Sequence, residues 1–317
     1  MTYITDFFSS SVHAAIGVIY GLLVGASVIT WALRKTRPGE ATAELSKRVV
    51  SWWWMITVFS IAILTDRVVS SIFLGFISFL ALKEYLSLIP TRRVDRSILL
   101  WAYLAIPIQY YFAHIGRFGL FMTFIPVWMF LFLPARITLG GHTEGFLRAV
   151  GLLSWGLMIT VFSLSHTALL LSYGTVHGHG AGALLFLVAL TQFNDVAQFT
   201  FGNLFGTHKI TPSVSPKKTW EGFIGGLVAT ACVAMVVGPY LTPMPMAWSA
   251  AAGAIIAAAG FLGDVTMSSF KRDMGVKDAS QLIPGHGGIL DRVDSLIYSA
   301  PVFFHFLNFF FWSPLAR

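Results

Sequence analysis

The amino-acid sequence predicts an all-α, polytopic integral membrane protein of about ten transmembrane helices, with both termini on the non-cytoplasmic side. Three observations carry that prediction. Hydrophobic residues make up 56% of the 317-residue chain and charged residues 11%, with a mean hydropathy of +0.74, well above that of a soluble domain. Apolar runs long enough to cross a bilayer, which takes roughly 20 residues at about 1.5 Å each, recur from end to end. Finally, the basic residues fall in alternate connections between those runs.

The runs lie near 11–33, 49–65, 68–89, 97–113, 118–135, 149–172, 181–201, 221–241, 248–267 and 293–312. No Lys or Arg precedes Arg34, so the first run lacks the basic segment of a cleavable signal and reads as a retained helix. Gly17, Gly21 and Gly25 share one face of it, a spacing that permits close packing within the chain or in a homodimer. Only Asp66-Arg67 separates the second and third runs, which form either one hairpin or one broken helix. The seventh run contains Asn194 and Asp195, and the ninth contains Asp264. The single Cys232 lies in the eighth run, which excludes an intrachain disulfide and a thiolate metal cluster.

Charge sets the orientation. Arg34, Lys35, Arg37, Lys47 and Arg48, then Arg92, Arg93 and Arg96, then Arg136 and Arg148 occupy alternate connections. The series continues with Lys209, Lys217 and Lys218, and closes with Lys271, Arg272, Lys277 and Arg292. The other side holds Arg67, Arg117 and Arg317, with Lys83 near the inner end of its helix. The positive-inside rule makes the first set cytoplasmic, and the regular alternation supports an even helix count. The net charge of +7 thus faces the cytoplasm, where it serves topology and contact with anionic membrane lipids. No soluble basic module is present to carry nucleic-acid binding.

There is no internal repeat and no separate soluble domain. Residues 1–190 read as a transmembrane scaffold of lipid-contacting helices, and 191–317 as a catalytic transmembrane region with cytoplasmic loops 202–220 and 268–292. In a chain so poor in charge, the stretch Ser268–Asp294 concentrates it: Lys and Arg stand beside Asp and paired glycines, which suits a site for phosphate and a divalent metal. Asp195 and Asp264 lie where the bilayer penalises charge by a few kcal/mol (roughly 2.5–3.5 at a helix centre) unless it is paired, wet or metal-bound. Both stand close enough to helix ends to reach the interface instead. Asp291 and Asp294, three apart, share a helix face and also favour a helix N-terminus. Upstream, Pro216 turns the chain, Lys217 and Lys218 offer phosphate contacts, and Thr219 or Trp220 begins a helix whose free N–H groups face the same region, with Glu221 in its first turn. The pair His177 and His179 lies in a Gly-rich outer loop without a nearby carboxylate, and no role is expected of it.

The charged stretch runs Ser268-x-Phe270-Lys271-Arg272, four residues, Lys277-Asp278-x-Ser280, two residues, Ile283-Pro284-x-His286-Gly287-Gly288, then Asp291-Arg292-x-Asp294. This resembles the signature of the phosphatidate cytidylyltransferases, the CDP-diacylglycerol synthases, at every fixed position. Ser215-Pro216-Lys217-Lys218-Thr219-x-Glu221-Gly222 resembles a second conserved block of that family. The resemblance reaches upstream to about Asn194 and is weak before it. One departure concerns Phe199, which stands where many members have Tyr; Gln198 or Asn194 would have to supply the missing hydrogen bond.

The resemblance implies Mg²⁺-dependent cytidylyl transfer from CTP to phosphatidic acid, giving CDP-diacylglycerol and pyrophosphate in phospholipid biosynthesis. It implies Asp264 and Asp291 as metal ligands, with room for a second ion. Lys271, Arg272, Lys277, Asp278, His286 and Asp294 become catalytic candidates. Asp195, Ser215, Lys217, Lys218, Thr219, Glu221, Ser268, Gly287, Gly288 and Arg292 become substrate-binding candidates. The setting implied is a bacterial inner membrane with the site facing the cytoplasm. Two alternatives are a cytidylyltransferase for another membrane lipid phosphate, which Phe199 leaves open, and an ion-coupled transporter using Asp195 and Asp264. Against the transporter stand the missing repeat and the gathering of charge on one membrane face.

Overall fold

The structure is a computed structural model that describes residues 10–36, 39–90, 96–141, 144–177, 179–282 and 287–312. Of the residues singled out above, Arg37, Arg92, Arg93, Ile283, Pro284, His286 and Arg317 lie outside the described residues.

The apolar runs form helices, as their length and composition require. They are α1 (Ser10–Thr36), α2 (Glu40–Thr65), α3 (Arg67–Leu88), α4 (Arg96–His114), α5 (Phe118–Thr123) and α6 (Phe130–Leu139). There follow α7 (Phe146–Leu157), α8 (Leu164–His177), α9 (Gly180–Phe205), α10 (Trp220–Leu241), α11 (Met246–Asp273) and α12 (Ile289–Leu307). Wider π-helical turns join α5 to α6 (Phe124–Met129) and α7 to α8 (Met158–Ser163), so each pair forms one rod. Pro126 sits in the first of these turns, where its missing N–H removes a ladder bond. Nine segments among the described residues are long and apolar enough to cross a membrane. The tenth rod is α4, which matches the run at 97–113 and carries Pro107. The chain is a polytopic, helical integral membrane protein.

The Asp66 junction resolves as a hairpin. Asp66 adopts extended geometry (φ −161°, ψ 156°), ends α2, and caps α3 by accepting from Val68 N at 3.1 Å. Ser70 Oγ donates back across the corner to Ala62 O at 2.8 Å, which a continuous rod would not allow.

The centre of the bundle is built by α8, α9 and α12, whose Leu169, Leu170, Leu171, Phe186, Phe303 and Phe304 are fully buried. Lipid tails are as apolar as Leu, so van der Waals contact and close backbone approach, rather than water exclusion, hold such helices together. The close approaches fall beside the predicted site. A Cβ on Gly222 would lie 2.8 Å from Gln198 O, which lets α10 touch α9; one on Gly263 would lie 2.5 Å from Asp294 O, which lets α11 touch α12. The first helix behaves otherwise. Tyr20 and Trp53 hold α1 to α2 through bonds to Thr57 (3.2 Å) and Ser27 (2.9 Å). Cβ atoms on Gly17, Gly21 or Gly25 would meet nothing within 4 Å among the described residues, so of the two uses expected for that face, packing within the chain is not seen there.

The all-helical expectation misses one small feature. Between α9 and α10, β1 (Lys209–Thr211) and β2 (Ser215–Thr219) form an antiparallel ribbon with Lys209 opposite Thr219 and Thr211 opposite Ser215. The chain turns at 212–214, closed by Val214 N to Thr211 O at 3.2 Å. Pro216 lies in β2, which corrects its expected place as the turn residue.

Candidate active site

Helix direction assembles the site. The C-terminal parts of α3, α9 and α11 and the N-terminal starts of α10 and α12 meet at one end of the bundle, with β1–β2 and residues 274–282 and 287–288 beside them. Asn194 sets the spacing of three of these helices: it is fully buried, donates to Ala257 O at 3.4 Å and accepts from Thr230 Oγ1 at 3.4 Å. It is therefore committed to packing.

Asp195, one residue on, accepts from Ser295 Oγ at 3.3 Å on α12. From α11, Asp264 forms an ion pair with Lys218 of β2 and accepts from Ser268 Oγ at 3.3 Å, one helical turn later. The Lys218 ammonium also sits 4.9 Å from the centre of the Phe261 ring, a favourable cation–π position. At the end of α11, Lys271 is 8% exposed and donates to Asp291 Oδ1 at 2.6 Å, with Asp294 Oδ2 at 3.9 Å. Asp291 Oδ2 accepts from Ala279 N at 2.8 Å and Gly288 N at 2.9 Å, tying the connection to the first turn of α12. Gly287 there has φ +78°, and a Cβ on it would crowd Asp291 Oδ2 at 2.8 Å. Ser295 N donates to Asp294 Oδ1 at 2.8 Å.

Asp195, Asp264 and Asp294 lie within electrostatic range of one another, with Lys218, Lys271 and Arg292 as their cationic neighbours. Two buried donors there, Gln198 Nε2 and Arg292 Nε, have no protein partner among the described residues. Such clustering of like charge fits a cation. No three His, Cys, Asp or Glu among the described residues are grouped to hold a metal by themselves. Two carboxylates suffice for Mg²⁺, which completes its shell with water and substrate phosphates. A carboxylate has about four lone-pair sites, so Asp264 and Asp291 keep acceptor capacity beyond their present bonds.

Other predicted residues land differently. Thr219 Oγ1 caps α10 by accepting from Gly222 N at 3.2 Å, and Trp220 N donates to His208 O at 2.9 Å. Two of the N–H groups expected to face substrate are thus spent within the protein. The Glu221 carboxylate is taken by the turn before β1, accepting from Thr207 N (3.1 Å), Thr207 Oγ1 (2.7 Å) and His208 N (3.2 Å) and pairing with His208 Nδ1 (2.6 Å). Arg272 braces the loops, donating to Val214 O (3.4 Å) and Val276 O (3.3 Å). Lys217, Lys277 and Asp278 are exposed, and Ser215 is half-buried. Phe199 is 62% exposed.

Two partners escaped the sequence reading. Ser295 carried no signal. Glu84 on α3 did: it is an acid near the end of an apolar run, where the membrane penalises charge. Its carboxylate accepts from Ser280 Oγ at 2.7 Å, Ile289 N at 3.0 Å and Leu290 N at 2.8 Å.

Residues 46–310 match the cytidylyltransferase family. The chain belongs to that family. The match takes in α3 to α12 and every carboxylate and lysine of the cluster, and leaves α1 outside. Family membership makes the chain an enzyme and removes the transporter alternative. Among curated proteins it is 42% identical to the uncharacterized protein YnbB of Escherichia coli, over 93% of this chain and 98% of that one. It is 43% identical to the phosphatidate cytidylyltransferase of Haemophilus influenzae over 41% of this chain and 47% of that one. A Mycobacterium tuberculosis phosphatidate cytidylyltransferase is 35% identical over 44% of each chain. The cytidylyltransferase thus matches those two enzymes over about half their length and YnbB over nearly all of it, consistent with a divergent branch.

Proposed function

We propose that this enzyme transfers the cytidylyl group of CTP to phosphatidic acid, giving CDP-diacylglycerol and pyrophosphate, at the cytoplasmic face of a bacterial inner membrane. The observation that carries the reading is the meeting of two separate charged blocks: Lys218 from the first pairs with Asp264, one helical turn ahead of the second. Lys271 and Asp291 then pair within the second. Lys217, Arg272 and Lys277, on the segments that carry these pairs, are exposed. That is an address for two anionic substrates, one arriving from water and one from the bilayer.

A phosphate oxygen of phosphatidic acid attacks the α-phosphorus of CTP. The new P–O bond forms as the bond to the β-phosphate breaks, and pyrophosphate departs with that electron pair. The nucleophile is already an anion, so the site needs no strong base and works by positioning and electrostatics. Asp264 and Asp291 would hold Mg²⁺, which when bound offsets phosphate charge, and the nearby carboxylates leave room for a second ion. Lys218 and Lys271, which stand beside those carboxylates, would bind phosphate oxygens of the substrates. Arg292 and Gln198 bring the buried unpaired donors that a phosphate would satisfy. Asp294 and Ser268 support the neighbouring groups, and Lys217, Arg272 and Lys277 steer and hold the triphosphate. Asp195, through Ser295, fixes α12 against α9. A homodimer would have the open glycine face of α1 available.

The test is to supply purified protein with labelled CTP, Mg²⁺ and phosphatidic acid and look for labelled lipid. Label appearing only with a different lipid phosphate would keep cytidylyl transfer and change the acceptor; label with none would end the reading.

A further inference from the structure

We propose that Glu84, in the part of the chain that reads as scaffold, is a positioning residue for the reaction: it holds Ser280 and the first turn of α12 and, through them, sets Asp291, Arg292 and Asp294. The contact stands on geometry alone; its meaning for turnover rests on the cytidylyl-transfer reading.

Glu84 is 7% exposed and lies on a membrane-spanning helix, where a lone carboxylate is costly. Three donors converge on it. Ser280 Oγ and Ile289 N reach Oε1, at 2.7 and 3.0 Å, and Leu290 N reaches Oε2 at 2.8 Å. Ile289 and Leu290 are the first two residues of α12, whose N–H groups have no acceptor inside the helix. An N-cap side chain would ordinarily serve them, and here the N-cap is Gly288, which has none. Glu84 supplies the missing acceptor from a helix some 200 residues earlier, placing its side-chain oxygens at the positive end of α12. Asp291, in turn, accepts from Gly288 N at 2.9 Å. The cap is divided between the two halves of the chain.

The glycine at 288 follows from this. A Cβ there would collide with Glu84 Oε2 and approach Ser280 Oγ to 2.8 Å. Its requirement for glycine therefore comes from the Glu84 carboxylate, where the sequence suggested approach to a phosphate. The next residue of α3 secures the other side. The Tyr85 ring stacks on Phe270 at 5.0 Å, beside Lys271, and its hydroxyl donates to Leu152 O at 2.8 Å. Thus α3 grips both ends of the connection that carries the signature, and its position fixes where Asp291 and Asp294 stand relative to Asp264.

The experiment uses the full chain purified in detergent, as wild type, Glu84→Gln, Glu84→Ala, Gly288→Ala and the Glu84→Ala/Gly288→Ala double variant. Displacement of reacting groups by about 1 Å costs on the order of 100-fold. Glu84→Ala and Gly288→Ala are each expected to lower kcat by roughly 10- to 100-fold, with KM for CTP changed less than about threefold. Glu84→Gln, which keeps one acceptor oxygen for Ser280 and Ile289, should fall between wild type and Ala. The double variant should be no worse than Glu84→Ala, because the collision with Glu84 is gone and the Ser280 hydroxyl, released from Glu84, can rotate away from the new Cβ. Wild-type kcat in Glu84→Ala, or losses that multiply in the double variant, would overturn the proposal. Amide hydrogen exchange of residues 279–292 tests the contact without turnover: faster exchange in Glu84→Gln supports it and unchanged exchange overturns it, even if the wild type makes no CDP-diacylglycerol and the cytidylyl-transfer reading falls. Should Glu84→Ala fail to fold, the near-isosteric Gln variant carries the same two readouts.

Discussion

Lys218 and Asp264 form an ion pair across 46 residues of sequence, joining the ribbon before α10 to α11. It is the stitch between the two charged blocks, and each partner remains partly exposed, at 17% and 27% of its side chain. A pair so placed can be exchanged for ligands without unfolding the helices that bear it. Asp264→Ala and Lys218→Ala should therefore insert and purify normally while losing about 10²–10³-fold in kcat, the scale of removing one charged contact to a transition state. Gel filtration and CTP turnover measured on the same preparation check both halves of that statement.

Lys271 and Asp291 are more deeply set, at 10% and 6% side-chain exposure. Asp291→Ala strips Lys271 of its close partner and orphans the N–H groups of Ala279 and Gly288. A loss of about 3–5 kcal/mol is expected from breaking a buried pair. Thermal unfolding in detergent should rank Asp291→Ala well below Asp264→Ala.

If Asp264 and Asp291 are the ligands proposed, chelation should abolish turnover and added Mg²⁺ should restore it, since no group of three His, Cys, Asp or Glu among the described residues could hold the ion without substrate phosphates. In Asp264→Asn the Mg²⁺ concentration for half-maximal activity should rise by roughly tenfold or more. A titration of activity against free Mg²⁺ in both proteins decides it.

Lys217 and Lys277 are exposed, and salt screens exposed charges over about 8 Å at physiological ionic strength. Replacing both by Ala should raise KM for CTP a few-fold, with kcat changed less than about twofold, and should flatten the dependence of KM on salt. Steady-state kinetics at two ionic strengths provide the measurement.

Gly263 lets α11 lie against α12 beside Asp264, and a Cβ would press on Asp294 O. Gly263→Ala should cost about 1–3 kcal/mol through overpacking and lower kcat as well, because it moves Asp264 away from Asp294. By contrast Phe199→Tyr, at a largely exposed position, should leave activity within about twofold. Unfolding midpoints and turnover of the two variants, compared side by side, test whether proximity or residue type governs the site.

The membrane class and the ten rods were legible because runs of some twenty apolar residues have few other uses, and the site's charged blocks because charge is scarce elsewhere. The hairpin at Asp66 was not decidable, since one Asp-Arg step suits a break or a turn equally; the bond from Ser70 to Ala62 makes the choice. The ribbon was missed because strands of three and five residues carry too little alternation, and Pro216 drew the turn to itself. Thr219 and Glu221 were placed in the correct helix start, yet the sequence could not say that their side chains would be spent on Gly222 and the 207–208 turn. Glu84 was passed over because nothing local to α3 announces partners around 200 residues away.

That separation in sequence is also a separation in time. A ribosome adding about 5–20 residues per second delivers Ile289 roughly 10–40 s after Glu84. Throughout that interval α3 resides in the membrane with an acid whose three eventual donors have not yet been made. The early helices must tolerate it meanwhile by leaving that end loose and hydrated, and the bundle locks only when its last helix arrives. Assembly of the acid cluster therefore finishes last: a truncated chain lacking α12 lacks Asp291, Asp294 and the two backbone donors that occupy Glu84.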